Sequence, residues 1–149
     1  MHTDHLRELP LGKWELINFP VIPDQRGNLA FIEERRHVPI DIARVFYLYD
    51  VPPGSERGGH AHRELSQVLI AASGSLEVHL DNGVDRETVT LNRPDFGVLM
   101  GPRVWQTMDH FTSGTVCLVL ASMPFEEADY IRDYNAFRKL VARDASSVR

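Results

Sequence analysis

The sequence of 149 residues contains one cysteine, no long apolar run and no excess of basic residues. Cys117 lies within an apolar run and cannot form an internal disulfide bond, which fits a reducing, cytoplasmic setting. No apolar run approaches the ~20 residues of a membrane-spanning helix. Residues 1–5 lack the basic start and apolar stretch of a signal peptide. We therefore expect a cytoplasmic protein without a membrane partner.

The net charge of −5 argues against a general nucleic-acid binder, which would carry a basic surface. It does not exclude a small anionic ligand, because a few inward-facing arginines can hold a phosphate whatever the overall charge. The arginines of interest are spread along the chain: Arg26, Arg44, Arg57 and Arg103. We expect no nucleic-acid partner, and only folding could assemble an anion site.

Most of the chain consists of short apolar runs separated by turn residues, a pattern typical of an all-β sandwich or barrel. The clearest turn is Asp81-Asn82-Gly83, because an Asn-Gly pair suits the twist of an antiparallel hairpin. Gly27 lies in a second turn that favours positive φ. The predicted strands cover residues 14–19, 29–33, 42–49, 65–72, 75–80, 86–91, 97–100 and 114–122.

The C-terminal part of the chain has a different period. Between residues 126 and 143 apolar side chains recur at spacings of three and four, which predicts one amphipathic helix with Glu126 and Glu127 in its first turn. At this length the whole chain, 1–149, fits a single domain. We expect a barrel over about residues 13–123 and a capping helix over about residues 126–143.

The histidine pair His60 and His62 carries the strongest functional signal. Residues at i and i+2 of a strand point to the same face, and Ala61 points the other way. Gly58 and Gly59 before them let the backbone pass close to a ligand or to another strand. Such a pair can chelate a metal, or can supply a base and an orienting donor to one substrate.

The spacing around this pair resembles the first motif of the cupin superfamily. That motif runs from glycine through five residues to His-x-His, then three or four residues to glutamate, then six residues to glycine. Here the corresponding residues are Gly54, His60, His62, Gln67 and Gly74. The resemblance implies a cupin (jelly-roll) β-barrel. The one departure is Gln67, where metal-binding cupins place glutamate.

The second cupin motif normally delivers a third histidine. Its counterpart here lies near residues 97–106, where Trp105 and Gln106 occupy the expected position. A divalent cation in such a barrel requires most of a set of three imidazoles and one carboxylate. Two imidazoles and an amide remain, so we expect no metal and no cofactor, with a histidine acting as acid and base.

A narrower resemblance covers nearly the whole chain. The sequence is similar to the cupin-type sugar 3,4-ketoisomerases of bacterial deoxysugar pathways, which act on dTDP-4-keto-6-deoxyglucose. The order and spacing of several blocks carry this likeness, namely residues 24–29, 43–49, 57–62, 67–69, 101–105 and 129–137. It implies an isomerase that moves a ketone from C4 to C3 of a dTDP-linked keto sugar through an enediol. It also implies a homodimer with strands shared across the interface.

Site residues follow from the same resemblance. It makes His60 and His62 catalytic, and it places Arg26 and Arg57 near the substrate. Tyr47 is a candidate hydroxyl donor because its strand enters the site, although Phe46 and Tyr47 face opposite ways and the sequence leaves open which one points inward. The remaining candidates for substrate binding are Arg44, Gln67 and Trp105.

Three other functions remain as alternatives. A nucleotide-sugar epimerase shares the barrel and the histidine base, but it resembles this chain less closely around the histidine. A non-catalytic sugar-nucleotide-binding cupin is disfavoured because both histidines, Arg26 and Arg57 are retained. A metallo-cupin oxygenase is disfavoured by Gln67 and by the missing third histidine.

Overall fold

The structure, a computed structural model, describes residues 9–147. The predicted domain limits at 1 and 149 and the N-terminal segment 1–5 lie outside the described residues. Twelve strands are found in that part: β1 Trp14–Asn18, β2 Val21–Asp24, β3 Gly27–Ala30, β4 Arg44–Leu48, β5 Arg57–His62, β6 Gln67–Ser73, β7 Leu76–Asp81, β8 Arg86–Leu91, β9 Phe96–Met100, β10 Trp105–Asp109, β11 Val116–Ala121 and β12 Tyr130–Ile131. One helix, α1, runs from Tyr134 to Ser147.

The strands form two five-stranded antiparallel sheets and a separate hairpin. The first sheet has the order β1-β9-β6-β11-β4, the second has the order β12-β5-β10-β7-β8, and β2 pairs with β3. The two large sheets enclose the main apolar cluster, which includes Leu69, Val78, Leu80, Val98 and Val119. This arrangement confirms the predicted all-β cupin barrel with one C-terminal helix.

Strand β6 is buried on both of its faces. It lies at the centre of the first sheet, and residues 67–71 are all buried. Leu69 packs into the cluster between the sheets, whereas Val68 and Ile70 pack against Phe19, Val38 and Ile40 on the other face. A strand covered on both faces is apolar throughout rather than alternating.

The C-terminal helix begins later than the sequence predicts. Residues Glu127–Asp129 form a 3-10 turn, and Tyr130–Ile131 pair with β5 as strand β12. The Asp133 side chain then accepts hydrogen bonds from the N–H groups of Asn135 and Ala136 and so caps α1. The spacing of Tyr130 and Ile131 happens to continue the helical period, although both belong to the sheet.

Helix α1 packs across the outer face of the second sheet. Phe137 is fully buried there against Ala61 and Ile131. Among the described residues, no helix is long and apolar enough to cross a membrane.

Candidate active site

One end of the barrel interior is polar, and strand register explains why. Arg44, Ala121, Gln67 and Met100 lie side by side across the first sheet. Facing them, His60 of β5 lies beside Gln106 of β10 in the second sheet. The other end of the interior is filled by the main apolar cluster, so polar side chains collect where the core stops.

Gly58 sets the approach of β5 to β10. Its φ is +84°, and a Cβ there would lie only 2.9 Å from the carbonyl oxygen of Gln106. A side chain at this position would therefore push the two strands apart. The register between the strands shifts next to this contact, between Gln106 and Thr107. The bulge directs His60 toward Gln106, as bulges near functional sites commonly re-aim a side chain.

The two histidines lie close together and share an aromatic neighbour. Their rings are 5.1 Å apart in an edge-to-face arrangement. The ring of Tyr130 lies 5.1 Å from His60 and 4.5 Å from His62, because β12 pairs Tyr130 with His62. Arg132 also lies over the Tyr130 ring, with its guanidinium carbon 4.4 Å from the ring centre.

His62 is oriented by a buried carboxylate. Its Nδ1 lies 3.0 Å from Oδ2 of Asp129, and the two residues are only 4% and 6% exposed. The second oxygen, Oδ1, accepts a hydrogen bond of 2.8 Å from the backbone N–H of Glu64. A carboxylate at Nδ1 holds the proton on that nitrogen, so Nε2 of the neutral imidazole carries the lone pair. The arrangement presents a base at Nε2.

Both imidazoles are kept neutral by their surroundings. Burial lowers the pKa of His60 to about 4, and the charges of His62 and Arg132 add to that effect. Burial also lowers the pKa of His62, against the opposing influence of Asp129. Desolvation penalises the charged imidazolium, so both rings are unprotonated bases at neutral pH.

His60 is held from two sides. Its ring hydrogen-bonds the backbone of Gly58, which raises the pKa slightly against the effect of burial. The side-chain amide of Gln106 donates to Nε2 over 3.2 Å. The other amide atom, Oε1 of Gln106, is buried and has no hydrogen-bond partner. A buried orphan acceptor of this kind is suited to a ligand hydroxyl.

Arg44 brings unpaired donors to the same region. Its guanidinium lies 5.0 Å from the ring centre of Phe46 and 5.5 Å from that of Phe125. The Nε and Nη2 atoms are buried and have no hydrogen-bond partner. The positive charge of Arg44 also contributes to the lowered pKa of His62. These donors can stabilise an oxyanion formed beside His62.

The structure brings together four of the eight residues predicted for the site. His60, His62, Arg44 and Gln67 line the polar end of the interior. The prediction for Tyr47 is corrected: β4 alternates, with Arg44 and Phe46 inward, and Tyr47 is 59% exposed on the outer face.

Trp105 also requires correction. It faces outward on β10 and packs against Tyr134 and Phe137 of α1, with ring centres 5.2 Å and 5.7 Å away. The residue that β10 turns inward is its neighbour Gln106. Trp105 is therefore part of the packing beneath the helix and does not stack on a ligand within the barrel.

Arg26 and Arg57 lie outside the polar end of the barrel. Arg26 is at the tip of the β2–β3 hairpin, is 91% exposed and pairs with Asp24. Arg57 is exposed at the start of β5 and shares an open cavity of about 420 Å³ with Tyr47 and Tyr49. Neither guanidinium contacts the histidine pair within one chain.

Asp129, Tyr130 and Arg132 were not predicted as site residues. Residues 129–137 are one of the blocks that carry the family resemblance, but the apolar spacing in this block predicts the start of the helix. A polar Asp before a Tyr-Ile pair is a weak signal in one sequence, because its partner His62 is 67 residues away. In the sequence, Gln106 stands out only because it lies where the second cupin motif places a third histidine.

The interior is poorly suited to a divalent metal. His60 Nε2 already receives a hydrogen bond from Gln106, which leaves Nε2 of His62 as the one free imidazole nitrogen of the pair. Gln67 and Gln106 supply neutral amides where a carboxylate and an imidazole would be needed. The donor set does not fit a metal held by three imidazoles and a carboxylate.

Comparison with known proteins identifies the family. A family model described as FdtA: WxcM-like, C-terminal matches residues 12–142. A TDP-4-oxo-6-deoxy-alpha-D-glucose-3,4-oxoisomerase of Aneurinibacillus thermoaerophilus is 44% identical over 129 residues, which cover 87% of this chain and 93% of that protein.

Two solved structures agree with this result. The 3,4-ketoisomerase QdtA of Thermoanaerobacterium thermosaccharolyticum, solved as a variant with TDP-4-keto-6-deoxyglucose, is 39% identical with a TM-score of 0.87 and covers 90% of this chain and 97% of its own. The TDP-quinovose 3,4-ketoisomerase WlaRB of Campylobacter jejuni is 41% identical with a TM-score of 0.82 and covers 87% and 99%. Since the family match spans nearly all described residues and the barrel is shared, the chain belongs to the FdtA, WxcM-like family of sugar 3,4-ketoisomerases.

Proposed function

We propose that this protein isomerises a TDP-linked 4-keto-6-deoxyhexose, moving the ketone from C4 to C3 by metal-free histidine acid and base catalysis. One observation carries the proposal: the His62–Asp129 pair presents a neutral base beside the unpartnered donors of Arg44 in a desolvated barrel. The substrate class follows from the named relatives. The cytoplasmic location predicted from the sequence stays a prediction.

The reaction moves two protons and needs no external oxidant. The substrate carries a carbonyl at C4, and a hydroxyl and a hydrogen at C3. Removal of the C3 proton forms the C3–C4 double bond of an enediolate, and protonation at C4 then leaves the carbonyl at C3. The net result is that C3 loses one proton and C4 gains one, while another proton is lost from the C3 oxygen and gained by the C4 oxygen. C3 is oxidised by two electrons and C4 is reduced by two.

We assign the carbon-bound proton to His62. Its Nε2 carries the free lone pair because Asp129 holds Nδ1, and the imidazolium formed after abstraction is stabilised by the same carboxylate. The second imidazole, His60, transfers the proton that moves between the two oxygens, once the sugar displaces the Gln106 amide from its Nε2. Its ring lies 5.1 Å from His62, a separation that suits two groups acting on adjacent atoms of one sugar.

Arg44 stabilises the enediolate. The negative charge develops on the C4 oxygen when the C3 proton leaves, and the Nε and Nη2 groups of Arg44 are donors without partners in the interior. Fixed donors in a water-poor site stabilise such a charge strongly, because they need no reorganisation. Oε1 of Gln106 is the complementary acceptor for a sugar hydroxyl. Gln67 supports the polar wall beside Arg44.

The nucleotide lies outside the polar interior in this proposal. Arg57 begins the same strand that ends at His62, so a sugar at the histidines leaves the diphosphate near the mouth of the barrel. Arg26 is too exposed to serve the site of its own chain. We propose that it reaches the nucleotide of a second copy in a homodimer.

The decisive test is conversion of TDP-4-keto-6-deoxyglucose followed by NMR in D2O. We expect the 3-keto product with deuterium at C4, no turnover by His62→Asn, and strongly reduced turnover by His60→Asn. His37→Asn is the matched control, since this histidine accepts a backbone hydrogen bond from Glu33 away from the barrel interior. An unchanged substrate spectrum with the wild-type protein would refute the proposal.

Asp129→Asn tests the orientation of the base. An asparagine that accepts from Glu64 presents its NH2 group to His62 Nδ1, which moves the ring proton to Nε2 and removes the lone pair. We expect kcat to fall by about 10²- to 10⁴-fold, the range of general acid–base contributions, with KM nearly unchanged. The ¹⁵N shifts of His62 should report the change of tautomer.

Asp133→Asn is the control for that experiment, because asparagine is an equally good helix cap. It should retain activity and stability. Wild-type kcat in Asp129→Asn, or an unaltered His62 tautomer, would contradict the role assigned to the carboxylate.

The lowered pKa values predict an unusual acid limit of activity. A base whose pKa is lowered stays unprotonated as the pH falls, and it gains a proton only when the pH approaches the lowered pKa. We therefore expect kcat/KM to persist below the ordinary histidine pKa of 6.5 and to decline only as His62, and near pH 4 also His60, become protonated. Circular dichroism at each pH separates this loss from unfolding. A half-loss at 6.5 would show that the imidazoles are not desolvated.

The predicted homodimer has a candidate interface on the outer face of the first sheet. Val45, Tyr47 and Tyr49 are more than half exposed there, on the edge strand β4 and just beyond it. The β2–β3 hairpin exposes Ile22 and Leu29 and pairs with no other strand in residues 9–147. Large exposed apolar patches commonly mark association surfaces.

Val45→Asp should weaken the dimer at least about tenfold, because it buries a charge in an apolar contact. Analytical ultracentrifugation measures the dissociation constant. Val84→Asp is the matched control, since Val84 is exposed on the β7–β8 turn of the other sheet. A wild-type monomer, or equal effects of the two variants, would exclude this interface.

A further inference from the structure

A second group of ionisable side chains lies on the outer face of the second sheet, where the proposed reaction does not use it. Glu77 and His79 point outward from β7, between the buried residues of that strand. Asp109 ends β10, and His110 follows it directly. The four residues form the one His, Cys, Asp and Glu cluster with ligand spacing found in residues 9–147.

The four ligand atoms lie close to one another. His79 Nε2 and His110 Nδ1 are 2.7 Å and 2.8 Å from Oδ1 of Asp109. Oε2 of Glu77 is 3.2 Å from His110 Nδ1 and 3.9 Å from His79 Nε2. All four lie within 4.8 Å of one another. Tetrahedral Zn²⁺ with ligands at about 2.1 Å would separate them by about 3.4 Å, which lies within the observed range.

The cluster is held in place by the sheet. The register sets Asp109 opposite Glu77, and it sets His79 between Thr107 and Thr88 on the two neighbouring strands. Nδ1 of His79 lies 2.8 Å from the hydroxyl of Thr88, which turns Nε2 toward the carboxylates. A hydrogen bond at the other ring nitrogen is the usual way to orient an imidazole that binds a metal.

The backbone of His110 has a left-handed conformation. Its φ is +53°, in the left-handed region, which histidine adopts more often than most other non-glycine residues. This conformation brings Nδ1 back onto Asp109 of the preceding residue and onto Glu77.

We propose that Glu77, His79, Asp109 and His110 bind one Zn²⁺ ion per chain. Imidazole ligands favour zinc over Mg²⁺ and Ca²⁺, which prefer oxygen ligands alone. Two imidazoles and two carboxylates complete a tetrahedral set without a free position. The ion therefore has a structural role, clamping β7 to the end of β10. It lies across the sheet from the histidine pair and is independent of the proposed isomerisation.

The test uses protein freed of any affinity tag and stripped with EDTA. Isothermal titration with Zn²⁺ should show one site per chain, and zinc should raise the midpoint of thermal unfolding. Co²⁺ in the same site should give the visible absorption of a tetrahedral complex. His110→Asn is the key variant, because His110 is 71% exposed and asparagine tolerates the same left-handed backbone. It removes a ligand without a folding penalty.

We expect His110→Asn to lower zinc affinity by more than about 100-fold, since even losing a partner of a ligand costs about 10- to 100-fold. Asp109→Asn should do the same. Two controls identify other zinc sources: His60→Asn removes an interior imidazole, and a double His2→Asn, His5→Asn variant removes two N-terminal histidines. Both control variants should retain zinc binding at the proposed site. The absence of zinc binding, or binding unaffected by His110→Asn, would show a hydrogen-bonded surface cluster only.

Discussion

The buried carboxylate of Asp129 joins the chain after the barrel to the strand that carries the histidines. One oxygen binds His62 and the other binds the backbone of Glu64, so a single side chain anchors β12 on β5 and sets the tautomer of an imidazole. Leaving either partner buried without this acceptor costs about 1–3 kcal/mol. The position of Tyr130, and the point at which α1 leaves the sheet, depend on this anchor.

The interior combines two opposed tendencies. Burial keeps the imidazoles neutral, which favours proton abstraction, yet the abstraction itself creates charge in a place where charge is disfavoured. In the proposed reaction Arg44 offsets the new charge, because its positive charge and its unsatisfied N–H groups are already present before the proton is removed. The aromatic faces of Phe46 and Phe125 hold the guanidinium without occupying those donors. Its side chain remains available to a ligand.

The sequence predicted the parts of this site that lie close together in the chain. His60 and His62 share a face because strands alternate, and the barrel follows from short strands between turns. Alternation alone cannot say which face is inside, so Tyr47 was chosen where Arg44 and Phe46 point inward. Trp105 is a candidate for substrate binding in the sequence, whereas the structure turns its neighbour Gln106 toward the interior.

Contacts between segments that lie far apart in the chain could not be predicted from the sequence. Asp129 meets His62 only because β12 pairs with β5, and two residues are too few to show the period of a strand. The apolar side chains of Tyr130 and Ile131 fit both a strand and the extension of the following helix. The helix begins only after Asp133, whose side chain caps the N–H groups that follow it. A single sequence does not show which of two competing periods prevails.

The second sheet carries imidazoles on both of its faces, and their surroundings give them opposite chemistry. On the inner face His60 and His62 are desolvated and lie near the positive charges of Arg44 and Arg132, so their pKa values fall and they act as neutral bases. On the outer face water and two carboxylates surround His110, so its pKa rises. The residue type is shared, but burial and the sign of the neighbouring charges determine whether the ring carries a proton or is suited to the proposed roles of accepting one from a sugar or binding a zinc ion.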